Sequence, residues 1–346
     1  MEARGESFKE IGGITMGTTA KTPIPLGVYR HYKGNEYEVI GFSKHSETLE
    51  DMVIYKALYG EGGTWVRPLS MWGTPIEIDG KTVKRFEFIE GCSTLTLYFS
   101  GTGNSKYIAE LFREHMNSEC YSIEESIDFD VLIADNDTIA FCYPVYMSRV
   151  PRIMREFVVR HMASLQGKKI IIFCTQLILS GDGARAFAEL FPRGHVDVIY
   201  AEHFFMPNNV SNMAVLPMAT DKTIRKCALK AQLRMWAVCK NISSSKVRRR
   251  GFNPLSRFLG LFQGVFIGTM ERKANNTVKV SSYCTKCGVC AEVCPMSNLT
   301  LENGVVAHNH NCTMCYRCIN KCPHGAITVF WHGKVKKPYG WSGVRP

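Results

Sequence analysis

The sequence has no long hydrophobic run. Its longest strongly apolar window, Phe258–Gly268, is about 11 residues, against the roughly 20 that a membrane-spanning helix needs. The first 25 residues, MEARGESFKEIGGITMGTTAKTPIP, carry no apolar signal-peptide core. Both absences lead to the expectation of a soluble, cytoplasmic chain. There is no Walker A loop, G-x4-G-K-[S/T], and no G-x-G-x-x-G fingerprint. Their absence argues against P-loop chemistry and weakens the case for direct NAD(P)H oxidation. Acidic residues are scarce at one end only. Residues 201–346 hold 21 Lys/Arg and 5 Asp/Glu, whereas 1–100 hold 11 and 13, and 101–200 hold 10 and 13. No recognition helix or basic–aromatic stacking platform accompanies the basic end, so nucleic acid is not an expected partner.

What is present is globular material: 346 residues, 45% hydrophobic and 21% charged, room for two or three domains and no wholesale disorder. Residues 1–22 lack periodicity and read as a flexible leader. From Pro23 to Gly91 the pattern is short β-segments (Val28–Tyr32, Tyr37–Phe42, Met52–Ala57, Trp65–Pro68, Val83–Ile89) with turn signals between them, Asp79-Gly80 among them. A small, mostly β domain is expected there. From Thr94 apolar runs (Thr94–Phe99, Thr138–Cys142, Lys169–Cys174, Val196–Tyr200) alternate with helical patterns (Lys106–Met116, Val150–Leu165, Ala184–Leu190). That alternation predicts βαβ units and a doubly wound parallel sheet. Thr220–Lys240 reads as a further helix. Asn241–Asn276, with Lys246, Arg248–Arg250 and then the apolar stretch Pro254–Phe266, reads as a basic linker plus a docking helix. A membrane-surface helix is the other reading of that stretch.

Fourteen cysteines are many for an intracellular chain, and eight of them fall between positions 284 and 322. They form two quartets, Cys284-x2-Cys287-x2-Cys290-x3-Cys294-Pro295 and Cys312-x2-Cys315-x2-Cys318-x3-Cys322-Pro323. Three closely spaced thiolates on one loop grip three irons of a cubane, and the fourth points the other way. In this C-x2-C-x2-C-x3-C-P run the fourth Cys serves the other [4Fe–4S] cluster. One cluster is therefore expected on Cys284, Cys287, Cys290 and Cys322, the other on Cys312, Cys315, Cys318 and Cys294. Zinc ordinarily takes two Cys-x2-Cys pairs or Cys/His mixtures, and disulfides do not suit the compartment. Lys286, Arg317 and Lys321 lie beside the ligands and are placed to offset cluster charge.

The run Leu95–Phe99 leads into Ser100-Gly101-Thr102-Gly103-Asn104-Ser105, and a helix opens at about Lys106. A strand, a Gly/hydroxyl loop and a helix N-terminus together form an anion site, although taken alone the loop also reads as a plain turn. Two later loops follow strands of the same sheet. One contains Pro144, Val145 and Tyr146; the other contains Thr175 and runs to Gly181-Asp182-Gly183. In doubly wound sheets ligands bind at the carboxyl ends of such strands.

The loop 100–105 is similar to the flavodoxin pattern S-x-T-G-N-[S/T], which grips the phosphate of FMN, and about residues 278–331 resemble two-cluster bacterial ferredoxins. Residues 94–332 as a whole, with Met206-Pro207-Asn208-Asn209, resemble the flavodoxin–ferredoxin fusion proteins of anaerobes. Residues 24–90 resemble a small bacterial domain of unknown function through Tyr29–Asn35, His45–Leu49 and Trp65–Leu69. The resemblance implies three folds: a small mostly β domain, an α/β flavodoxin-like sheet and an α+β ferredoxin-like domain, followed by a tail over 333–346. It implies FMN held by Ser100, Gly101, Thr102, Gly103, Asn104 and Ser105, with Pro144, Val145, Tyr146 and Thr175 against the ring. It implies two [4Fe–4S] clusters. The expected function is electron transfer between clusters and flavin, to a redox partner protein or a small-molecule acceptor. A redox-sensing or partner-binding module built on the N-terminal domain is the alternative. A structural protein with a vestigial flavin loop is the third reading. Donor, acceptor, direction of flow and oligomeric state stay open.

Overall fold

The computed structural model describes residues 24, 27–78, 81–90, 93–116, 118–146, 148–178, 181–213, 216, 218–330, 333, 335 and 338–341. The leader over 1–22, the Asp79-Gly80 turn and part of the 333–346 tail lie outside the described residues.

The N-terminal strands β1 (Gly27–His31), β2 (Glu36–Lys44), β3 (Asp51–Ala57) and β4 (Thr64–Pro68) are followed by a short helix α1 (Leu69–Gly73). A hairpin of β5 (Pro75–Ile78) and β6 (Lys81–Lys84) comes next, and then β7 (Phe86–Glu90). The main sheet is antiparallel in the order β4-β3-β2-β1-β7. The single strand expected over Val83–Ile89 is divided at Arg85, because Val83 pairs with Ile76 while Phe86 turns into the core. The helix α1, not expected from the sequence, delivers Trp72 to that core. Trp72 is 1% exposed and stacks on Phe86 at 3.8 Å between ring centroids.

The central domain runs β8 (Thr94–Tyr98), α2 (Asn104–Met116), β9 (Glu119–Ser122), α3 (Phe129–Ala134), β10 (Thr138–Pro144), α4 (Arg152–Arg160), β11 (Lys169–Gln176), α5 (Gly183–Ala188), β12 (Asp197–Phe205), α6 (Asp221–Ser243), β13 (Arg248–Arg249) and α7 (Pro254–Asn276). All of its strand pairings are parallel, in the order β13-β12-β11-β10-β8-β9. Residues of β10 and β11 alternate between two cores: Ile139, Phe141, Ile170 and Ile172 pack on one face, Ala140, Cys142, Ile171 and Phe173 on the other. Burial on both faces explains the unbroken apolar runs. The strand order reverses between β8 and β10, which opens a crevice beyond their carboxyl ends.

The basic stretch after α6 does more than link. Glu202 of β12 is 1% exposed, and Arg234, Arg248 and Arg250 converge on it at 3.0, 3.7 and 2.9 Å. A buried carboxylate is tolerated when it is paired and hydrogen-bonded. Satisfying it draws Arg248–Arg249 onto the sheet edge as a sixth strand. Helix α7 then starts cleanly: Asn253 accepts from the Ser256 N–H, and Pro254 sits in the first turn.

The C-terminal domain contains β14 (Lys279–Val280), α8 (Val289–Glu292), β15 (Leu299–Glu302), β16 (Val305–His308), α9 (Arg317–Lys321) and β17 (Ile327–Thr328), with β14–β17 and β15–β16 paired antiparallel. The two quartets repeat in backbone as well as in sequence. Left-handed residues recur in register: Lys286 with Met314, Gly288 with Tyr316, and Ser297 with Gly325. Among the described residues, no helix is long and apolar enough to cross a membrane.

Candidate functional site

A cleft of about 320 Å³ lies beyond the carboxyl ends of β8, β10 and β11, within the usual size range for small-molecule sites. Nine of the ten flavin residues named from the sequence line it: Ser100, Gly101, Thr102, Asn104, Ser105, Pro144, Val145, Tyr146 and Thr175. Gly103 does not. It supplies the left-handed turn at φ 101° that starts α2, its N–H donates to Ser100 Oγ at 3.0 Å, and its far side faces Trp341. The loop is tied down on every side. The Ser105 and Thr175 hydroxyls bond at 2.7 Å, joining α2 to β11. The Asn104 amide donates to the Pro207 carbonyl at 3.0 Å, and that of Asn209 to Thr102 Oγ1 at 3.1 Å. The Met206–Asn209 segment singled out from the sequence thus forms a wall of the cleft. Gly181 and Asp182 do not line it. Asp182 bonds Arg185 and packs against Gly260 of α7, so that turn anchors the helix.

Tyr146 lines the cleft, and its hydroxyl oxygen is buried without a partner. Burial raises its pKa well above the ordinary phenol value. A mostly apolar cleft with hydroxyl and amide groups from the loop 100–105 and a helix N-terminus beside it fits a flavin mononucleotide.

The cysteines form two further cavities. One is lined by Cys284, Cys287, Cys290 and Cys322, the other by Cys294, Cys312, Cys315 and Cys318. Each quartet thus exchanges its last member with the other, the crossing expected from the spacing. Among the described residues, no three His, Cys, Asp or Glu side chains converge on a single-ion position; the cysteines surround a larger space. Backbone N–H groups already point at sulfur in matching places. Lys286 N donates to Cys284 at 3.4 Å and Met314 N to Cys312 at 3.4 Å. Ala326 N donates to Cys322 at 3.3 Å and Asn298 N to Cys294 at 3.2 Å. Such bonds stabilise thiolate and tune a cluster's potential. Burial pushes the Cys315 thiol up to about 12, so ligation has to displace its proton.

The cleft and the second cavity share a wall. Met314 and Tyr316, on either side of Cys315, line both. The approach is close in the backbone too: a Cβ placed on Gly101 would lie 2.2 Å from the Cys315 carbonyl oxygen. Arg317 secures the junction. Its guanidinium donates to the carbonyls of Ser100 at 2.8 Å and Gly101 at 3.2 Å, and it pairs with Glu124 through two bonds of 2.7 and 2.6 Å. The charge set aside for a cluster is thus engaged by the neighbouring domain. Asn320 donates to the Asn209 carbonyl at 2.9 Å, Asn212 to that of Val329 at 2.8 Å, and the Tyr339 hydroxyl to Asn104 Oδ1 at 2.5 Å. On the far side of α4, Arg155 pairs with Glu271 of α7 at 3.0 and 2.9 Å.

Three family models match successive parts of the chain: "Protein of unknown function (DUF1653)" over 27–88, "Flavodoxin domain" over 95–214 and "4Fe-4S dicluster domain" over 270–327. The chain is a flavodoxin–ferredoxin fusion with a DUF1653 domain in front. The matches support FMN and iron–sulfur clusters as its cofactors and a redox, electron-transfer role. No curated protein matches it. Among solved structures, a DUF1653 protein of Bordetella bronchiseptica is 33% identical, covering 20% of this chain and 92% of its own, with a TM-score of 0.19. Two-electron reduced Megasphaera elsdenii flavodoxin is 18% identical (41% and 98% covered, TM-score 0.29). General stress protein 14 of Treponema denticola, in complex with FMN, is 12% identical (44% and 99% covered, TM-score 0.34).

Gln176 and Leu177 belong to the loop expected after β11, whereas sequence reasoning did not point to Gln263, Met270, Met314, Tyr316 and Phe330 as cleft residues of the fusion protein. For Tyr316 a signal existed. Where the first quartet places Gly288, at φ 80°, the second places a tyrosine at φ 60°. A bulky residue in the left-handed region costs roughly 1–2 kcal/mol, and the side chain it brings to the cleft is what the first repeat lacks.

Proposed function

We propose that the fusion protein passes electrons between FMN in the cleft and two [4Fe–4S] clusters, and onward to a redox partner protein or small-molecule acceptor. FMN supplies one- or two-electron chemistry and each cluster one-electron chemistry. The phosphate would be held by the loop 100–105, and the ring by Pro144, Val145, Tyr146 and Thr175. The Cys294/312/315/318 set would hold the cluster nearer the flavin, and the Cys284/287/290/322 set the farther one, where Cys287 is exposed. Thiolate ligands in place of disulfides fit a reducing, cytoplasmic setting.

The observation that carries this reading is the shared wall: Met314 and Tyr316 face both the cleft and the second four-cysteine cavity. Side chains one layer thick separate the two sites, and Arg317 fixes the loops on either side of them. The test is Cys294→Ala. Iron in anaerobically purified protein should fall from about eight to about four atoms per chain, the content of one cubane. FMN should stay bound, and electrons supplied to the remaining cluster should no longer reach it at the wild-type rate. An unchanged rate after loss of this cluster would refute the assigned order.

A further inference from the structure

Helix α7 presents two unlike sides. Inward, Gln263 accepts a hydrogen bond from Ser148, Glu271 takes Arg155 in a bidentate pair, and Gly260 packs on Asp182. Outward, Leu255, Phe258 and Leu261 are 69%, 68% and 57% exposed, with Phe262 at 64%. At 3.6 residues per turn these four fall within about one third of the helix circumference. Thr269, Arg272 and Lys273 continue the same arc toward the C-terminus, and Arg257 borders it; all four are exposed. The helix contains one acidic residue, Glu271, and that one turns inward. Exposed apolar side chains bordered by cations with no facing acid are the pattern of a helix that lies in an anionic lipid interface.

The inward side of α7 also reaches the cleft. A Cβ on Gly181 would meet the Gly260 amide at 2.6 Å, so the loop leaving β11 lies directly against α7. Leu177 and Ile178 of that loop line the flavin cleft, and Ile178 is 68% exposed. Helix α7 thus walls the cleft with its inward side, through Gln263 and Met270, and carries its apolar arc on the outward side. A second copy of the chain is a poor occupant, because a two-fold contact would set Arg257, Arg272 and Lys273 against their own kind.

We propose that the outward face of α7 seats this protein on an anionic lipid surface. The helix lies on the bilayer and does not enter it as a span. The test is flotation of the full-length, cofactor-loaded protein with two vesicle preparations, phosphatidylcholine alone and phosphatidylcholine mixed with phosphatidylglycerol. Wild-type protein should float with the mixed vesicles and not with the neutral ones, and salt should release it. Leu255→Ser/Phe258→Ser and, separately, Arg272→Gln/Lys273→Gln should each reduce the bound fraction tenfold or more. FMN and iron content should be unchanged, which separates loss of docking from loss of the redox site. Three results would each overturn the proposal: no flotation with either preparation, equal flotation of wild type and the Ser variant, or a wild-type dimer that the Ser variant dissolves.

Discussion

The closest approach between the flavin loop and the cluster loop has no room for a methyl group. Gly101 lies outside the left-handed region, so Gly101→Ala adds a side chain without backbone strain. The added Cβ would stand 2.2 Å from the Cys315 carbonyl oxygen and 3.1 Å from its Cβ. Real contacts keep at least 3.0 Å, so the two backbones must part by about 0.8 Å. No flexible side chain can yield, since the obstacle is a carbonyl of a cysteine loop. Overpacking of this kind costs about 1–3 kcal/mol. If the phosphate loop absorbs it, FMN binding weakens by about 5- to 150-fold, at tenfold per 1.4 kcal/mol. The assay is the FMN dissociation constant of the anaerobically purified protein, read by flavin fluorescence, with iron content and melting temperature as companions. Gly41→Ala is the control, because nothing lies within 4 Å of its Cβ position. Wild-type FMN affinity and melting temperature in Gly101→Ala would refute the close packing of the two loops.

Two further outcomes concern the scaffold. Arg317→Met removes a pair whose side chains are 19% and 22% exposed. Its cost falls between that of surface and fully buried pairs, about 2 kcal/mol, and thermal unfolding of the flavodoxin–ferredoxin unit should shift down accordingly. His203 is 2% exposed, and burial, reinforced by Arg250, holds its pKa down to about 4 against an ordinary 6.5. Unfolding lets the imidazole take a proton, so this contribution is complete above pH 6.5 and is lost as pH falls toward 4, by about 3 kcal/mol. Urea titrations of wild type and His203→Gln across that window should show the steeper decline only in the wild type.

The parts of the site written locally were legible in the sequence. Each cysteine quartet spans a few residues, and its spacing sorts the cysteines into the same crossed groups of four that line the two cavities. The loop 100–105 was legible for the same reason. What escaped depends on distant partners. Residues 248–250 look like a free basic linker until Glu202 is found buried beside them. Arg317 reads as a cluster counter-charge until Glu124 and the Ser100 carbonyl claim it. Strand β9 escaped because Glu119–Ser122 is short and half-exposed, with no apolar run. Helix α3 escaped because it has only six residues, although its N-cap, Asp128, accepts from the Asp130 and Val131 N–H groups.

On the proposed function, one chain holds a flavin and a four-cysteine cluster site on either side of the wall made by Met314 and Tyr316. Partial anaerobic reduction of the clusters, followed by the bleaching of flavin absorbance over a series of protein dilutions, tests it most directly. Transfer within the chain predicts a first-order rate that does not change with dilution. A rate that falls in proportion to protein concentration, or a flavin that stays oxidised beside reduced clusters, would contradict it.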